Sequence, residues 1–351
     1  MKATLIFSIL IITLVSNVSG QTISDFSVKV TEMGKGQLKK APKKVYIASF
    51  NVYFELYKEG IDYKSGGSTL GGGVKSDATA RAAVGLSGVE ANDIQDKTNQ
   101  LYNEFTAQLK AAGLEIISSD VAAKAEVYEG WEKASGPYIG ESGIPNLLVS
   151  LPEGHSQYSR GKKDNGKNKK GMFDQNLLPA RLSNNLDDAI IANVNLYYMF
   201  AEEGNNAFSA GGAKVKILTN LRMVGDFTLT APDDEKKLFK MKGAQTFTTV
   251  KSAITFHQGK KGMGSPVIFE VSPKKDIEVE GVLKKEKVVA FQKQGSSTPT
   301  SFSGISYMDT ADRFSENATW IEVDSKKYAD GLYMVSKRMI DTVMSSLVAN
   351  L

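Results

Sequence analysis

Apolar and polar positions change period several times along this chain, and each period predicts an element. Val45-Tyr46-Ile47-Ala48-Ser49-Phe50-Asn51-Val52-Tyr53-Phe54 is nearly continuous in β-branched and aromatic residues, the pattern of a buried strand. Ala80, Ala82, Val84 and Leu86 alternate with Thr79, Arg81, Ala83, Gly85 and Ser87, which gives a period of two and a strand with one apolar face. Ile94, Thr98, Leu101, Phe105, Leu109 and Ala112 then recur at helical spacing. Asn92 stands as an N-cap with Gln95 three residues on, and Gly113 supplies the stop, so an amphipathic helix is predicted over Asp93–Ala112. Leu114-Glu115-Ile116-Ile117-Ser118-Ser119 follows as a strand. Strand, helix and strand thus come in the order of a right-handed crossover, provided the strands are parallel. A second helix is expected from Ser119 or Asp120 to about Trp131.

Residues 136–183 are rich in loop formers, with Pro137, Pro145, Pro152 and Pro179, and are broken by the apolar Leu147–Leu151. The main boundary is expected here. Ala189–Phe200 and Ala213–Leu229 have the composition of paired strands joined through Gly204-Asn205-Asn206 and Gly211-Gly212, and more strands are expected near 245–256, 266–271 and 287–291. At the end of the chain Tyr328, Leu332, Val335, Met339, Val343 and Leu347 share one helical face. Packing on a sheet and recruitment of a partner both fit that face. The fold class expected is α/β (α+β): a mixed sheet with flanking helices and a strand-rich, antiparallel second half. Its divisions are an N-terminal arm over 21–44, an α/β module over 45–150, a basic flexible loop over 151–185, and a strand-rich half over 186–351 whose last helix packs back on the core.

The first twenty residues change the picture from fold to place. Lys2, an apolar run from Ala3 to Val15 and small residues at Val18 and Gly20 form an expected secretory signal peptide over 1–20. The apolar run is shorter than the roughly 20 residues of a spanning helix. With no cysteine in the chain, an exported protein has no disulfide framework and no thiolate site, which fits a bacterial envelope better than a eukaryotic secretory route. The expected location is periplasmic, outer-membrane-associated or extracellular. The formal net charge of +4 is too small to demand nucleic acid.

Charge is nevertheless uneven. Arg160, Lys162, Lys163, Lys167, Lys169 and Lys170 lie within eleven residues that hold one acid, Asp164, interleaved with Gly and Asn. The stretch reads either as a solvated loop or as a contact for an anionic partner such as lipid head groups or a surface polymer. No aromatic residue is interleaved, so stacking on single-stranded nucleic acid is not expected. Ser65–Asp77 is glycine-rich, but Val74 precedes Lys75 where a phosphate-cradling loop needs glycine. Two readings remain for 65–89, an exposed hairpin behind a flexible loop and a hairpin that assembles with its copies.

Chemistry for catalysis is sparse. His155 and His257 have no metal-ligand spacing and read as surface residues; Asp187-Asp188 and Asp233-Asp234-Glu235 read as turn residues; no Gly-x-Ser-x-Gly elbow occurs. No enzyme, no cofactor and no metal is expected.

Several of these segments together resemble the curli-secretion channel family and the related TolB N-terminal-like domain of bacterial envelopes. The resemblance is carried by Lys44–Phe50 as opening strand, Leu101–Gly113 with Leu114–Ser119 as helix and returning strand, Ala189–Tyr198, Lys214–Val224 with Asn220-Leu221-Arg222-Met223-Val224, and the closing helix. It implies a periplasmic α/β domain, protomers arranged in a ring, and hairpins inserted into an outer-membrane barrel. The lipid-bearing cysteine of that family is absent here. The function expected is that of a non-enzymatic envelope protein that assembles with itself or docks on an outer-membrane or surface assembly. The alternative is an adhesion protein that grips anionic polymers through the basic stretch.

Overall fold

The structure, a computed structural model, describes residues 20–34, 38–68, 74–144, 146–160, 174–204, 212–232, 245–259, 267–293, 296–297 and 318–351. The signal segment and the acidic run at 233–235 lie outside the described residues. The principal elements in chain order are β1 Val28–Met33, β2 Lys44–Glu55, β3 Tyr57–Lys64, β4 Ala78–Ser87, α1 Ala91–Ala111, β5 Glu115–Ile116, β6 Leu147–Leu151, α2 Asp174–Asn185, β7 Ile190–Glu203, β8 Gly212–Met223, β9 Ala253–Gln258, β10 Val267–Pro273, β11 Ile277–Glu280, β12 Lys287–Lys293, β13 Thr319–Glu322 and α3 Ser325–Val348.

A mixed twelve-stranded sheet is built around β2 and β7, which run parallel over Val45–Phe54 and Ile190–Tyr198. Both strands are largely buried on two faces, apolar toward α1 and mixed apolar and polar on the other. β5 joins β2 in parallel, so β2, α1 and β5 form the strand–helix–strand unit that the periodicity predicts. On its far side β7 has two partners. Ile191–Asn195 pair with β9, which leads on to β10 and β1, whereas Tyr198–Glu203 pair with β8, whose other edge carries β11 and β12. The sheet therefore forks at β7, and antiparallel strands dominate the second half.

α1 lays Ile94, Thr98, Leu101, Phe105 and Leu109 on the sheet, with the Phe105 ring 5.8 Å from Phe50 and 6.2 Å from Phe256. Gly113, at φ +80°, ends the helix in the left-handed region that favours glycine. α3 lies beside α1 and is pinned to it by Gln108 Nε2 donating to Asp341 Oδ1 at 2.8 Å. Its six periodic residues are all buried, so the helical face packs on the core. The opposite face of β2 and β7 carries Tyr46 and Ile191, which pack with Tyr128 and with Leu182 of α2.

A second layer is formed by β3, β4 and β13 lying against β8 and β12. The approach is close: a Cβ on Gly60 would stand 2.7 Å from Val215 Cγ1. β4 forms where its period-two pattern predicts a strand, but burial alternates only at its start: Ala83 and Gly85 are buried with Val84 and Leu86, and Ala82 is half-buried. Its partner is β3, a strand whose charged composition hid it.

The structure corrects several expectations. Helix α1 begins two residues earlier than the N-cap reading, with Glu90 at the cap and Asn92 inside the first turn. The second helix shrinks to Ser119–Ala122 and a 3-10 turn at Glu126–Tyr128, after which Trp131–Ser135 is a strand. The stretch read as loops over 136–183 contains strands Tyr138–Glu141, β6 and Ser156–Arg160, and helix α2 with Pro179 inside it. Tertiary hydrogen-bond partners override weak local propensity here. The segment read as an arm supplies the edge strand β1.

Candidate functional site

Edge strands carry the exposed apolar surface. β12 reads Lys-Val-Val-Ala-Phe-Gln-Lys, and its alternation turns Val288 and Ala290 toward the core while Val289 and Phe291 stand 45% and 56% exposed. Among the described residues its only strand partner is β8, with Lys216 opposite Val289 and Lys214 opposite Phe291. The same condition holds elsewhere. Val30 and Met33 lie on β1, Tyr138 on Tyr138–Glu141 and Trp320 on β13, each strand paired on one side only among the described residues. Of the eight large hydrophobic side chains exposed among the described residues, these six lie on such edges, and only Val121 and Val348 do not. An open edge presents unpaired backbone N–H and C=O groups, and apolar side chains beside it make it a template for another strand.

A buried charged cluster ties the layers together where β2, β7 and β8 meet. Glu55, at the end of β2, is fully buried, and its Oε2 accepts the backbone N–H groups of Phe200 and Ala201, each at 3.3 Å. The ladder between β7 and β8 slips at this point, between Met199 and Ala201. Lys58 of β3, itself buried, lies 3.3 Å from Glu203. Arg222 donates to Asp276 Oδ2 at 2.9 Å, to Asn220 Oδ1 and to the carbonyl of Ala201. Burial pushes the Glu55 carboxyl up to about 7, against the pull of Lys58, Arg222 and the two N–H donors. The cluster is a structural clamp on the bulge. Its residues escaped the sequence reading because isolated charges at strand ends read as solvent-facing.

On the face of β2 and β7 away from α1 a polar chain crosses the two strands. Asn51 Nδ2 donates to Asn195 Oδ1 at 2.8 Å, Asn195 Nδ2 to Ser49 Oγ, and Ser49 Oγ to Asn193 Oδ1. Beyond it Tyr53 and Tyr197 stack with centroids 4.3 Å apart and planes 3° from parallel. A shallow crevice between α1 and α3, too small to hold a ligand, is lined mainly by Val52, Ile94, Thr98, Leu101 and Leu332 and forms part of their packing seam.

The histidines are not surface residues. His155 is buried at 3% exposure beside the Tyr102 ring, and its pKa falls to about 4 because burial disfavours the imidazolium. His257 is half-buried in β9 and is also held below its ordinary value by burial. Asp187 and Asp188 form a turn, both at positive φ. Of the basic stretch, Arg160 ends the strand Ser156–Arg160 opposite Trp131. Lys162, Lys163, Lys167, Lys169 and Lys170 lie outside the described residues. Among the described residues no group of three His, Asp or Glu side chains converges as a metal site.

Compared with known protein families, curated proteins and solved structures, the chain matches none. Among the described residues no helix is long and apolar enough to cross a membrane, a statement that does not touch strands.

Proposed function

We propose that this chain is an exported, non-enzymatic envelope protein that assembles with copies of itself or docks on an outer-membrane or surface machine, as a component similar to the curli-secretion channel. The concentration of exposed apolar side chains on open strand edges supports this reading. With helices flanking the sheet, the edges are the surfaces left for pairing. A monomeric protein ordinarily blunts such edges with charge, proline or covering loops. Here β12 keeps lysines only at its two ends, with Val289 and Phe291 exposed between them.

Cell fractionation followed by size exclusion with light scattering tests it. An envelope-fraction oligomer, stable in detergent, is expected; a monomer at all concentrations in the soluble fraction overturns it. The adhesion alternative has its own measurement: salt-dependent retention on an anionic polymer that disappears when Lys162, Lys163, Lys167, Lys169 and Lys170 become Ser. Unchanged retention removes that alternative.

A further inference from the structure

We infer that β12 pairs with β12 of a second copy, antiparallel and centred on Ala290. The inference rests on the assembly reading and names its contact. The strand's outer face is self-complementary about that residue. Antiparallel pairing there sets Ala290 against Ala290 and Val289 against Phe291 twice, with Val288 opposite Gln292 on the inner side and Lys287 opposite Lys293 at both ends. Residues opposite each other across an antiparallel pair share a face. Val289 and Phe291, exposed in the single chain, thus cover each other on the outer face. β-branched against aromatic is among the favourable cross-strand pairs. The twofold axis makes the contact isologous, so one exposed edge is consumed per copy and the other open edges remain for further contacts.

The area decides the strength. Seven residues at about 3.4 Å each give a contact about 24 Å long and a single strand wide, well short of a full interface. A stable interface covers about 800 Å² per partner. The pair is therefore weak and concentration-dependent, and the opposed lysines weaken it further at low salt.

The chain's lack of cysteine makes the register directly readable. In the full chain, Ala290→Cys under mild oxidation is expected to give a disulfide-linked dimer, because facing Cα atoms about 4.5–5.5 Å apart are within disulfide reach. Val348→Cys, exposed at the end of α3, is the control and stays monomeric. Lys287→Glu places opposite charges at both ends of the pair and is expected to lower the concentration of half-association at least threefold. Phe291→Lys, at an exposed position, is expected to raise it tenfold or more with unchanged circular dichroism. Cross-linking of Ala290→Cys no faster than Val348→Cys, or association indifferent to both charge variants, overturns the pairing. If light scattering still shows an oligomer in that case, the assembly reading stands and another edge carries it; a monomer throughout removes both.

Discussion

Glu55 reaches from β2 to accept the backbone N–H of Ala201 at 3.3 Å, where the ladder between β7 and β8 slips. A carboxylate in that buried place costs stability when ionised, and burial raises its pKa to about 7. The folded state therefore holds this proton more tightly than the unfolded chain. The contribution is complete below about 4.5 and is lost as pH rises through about 7. Each pH unit in that window changes stability by at most about 1.4 kcal/mol from this group. Glu55→Gln should remove this group's fall in stability with rising pH, so that in urea melts recorded from about pH 4.5 to 7.5 stability no longer falls as pH rises; a fall that survives the substitution contradicts the clamp.

His155 works in the opposite direction. Its pKa lies lowered at about 4, so its stabilising contribution is present above about 6.5 and is lost as pH falls through about 4. Between about 4.5 and 6.5 the two groups oppose each other, and the wild-type curve should be shallow there. Glu55→Gln should make stability rise with pH across that interval, and His155→Phe should make it fall. The same slope in both variants would show that neither group dominates.

Trp320 lies across β4, and a Cβ on Gly85 would stand 2.3 Å from its indole ring. Only glycine leaves that room. Gly85→Val should expel the indole and destabilise the fold by about 1–3 kcal/mol, the usual cost of overpacking. In a Trp131→Phe background, where Trp320 is the remaining tryptophan, its emission should shift to the red. An unshifted spectrum would place the indole elsewhere.

Phe105 joins α1 to both β2 and β9 and is fully buried. Phe105→Ala should cost about 3–5 kcal/mol in chemical denaturation, because the cavity opens between three elements that cannot collapse together. Tyr102→Ala, half-buried on the same helix, should cost less. Equal losses would mean that α1 is not seated through Phe105.

Local pattern carries a large part of this molecule. Continuous apolar character marked 45–54, a period of two marked 79–87, helical spacing with Gly113 marked α1, and the same spacing marked α3, because these signals need only neighbours in the chain. Tyr57–Lys64 was invisible to such reasoning. Its charges are met by partners more than a hundred residues away: Glu203 for the buried Lys58, and the backbone N–H of Lys214 for the half-buried Asp62.

The candidate site divides in the same way. By itself the sequence determined a strand near 287–291, and a pleat sends its successive side chains to opposite sides. Only the tertiary structure decided which of those sides meets the core, which edge lies open among the described residues, and that Glu55 and His155 are buried. Burial and edge exposure depend on which distant strands arrive at each position, and that is set by long-range packing that no local period records.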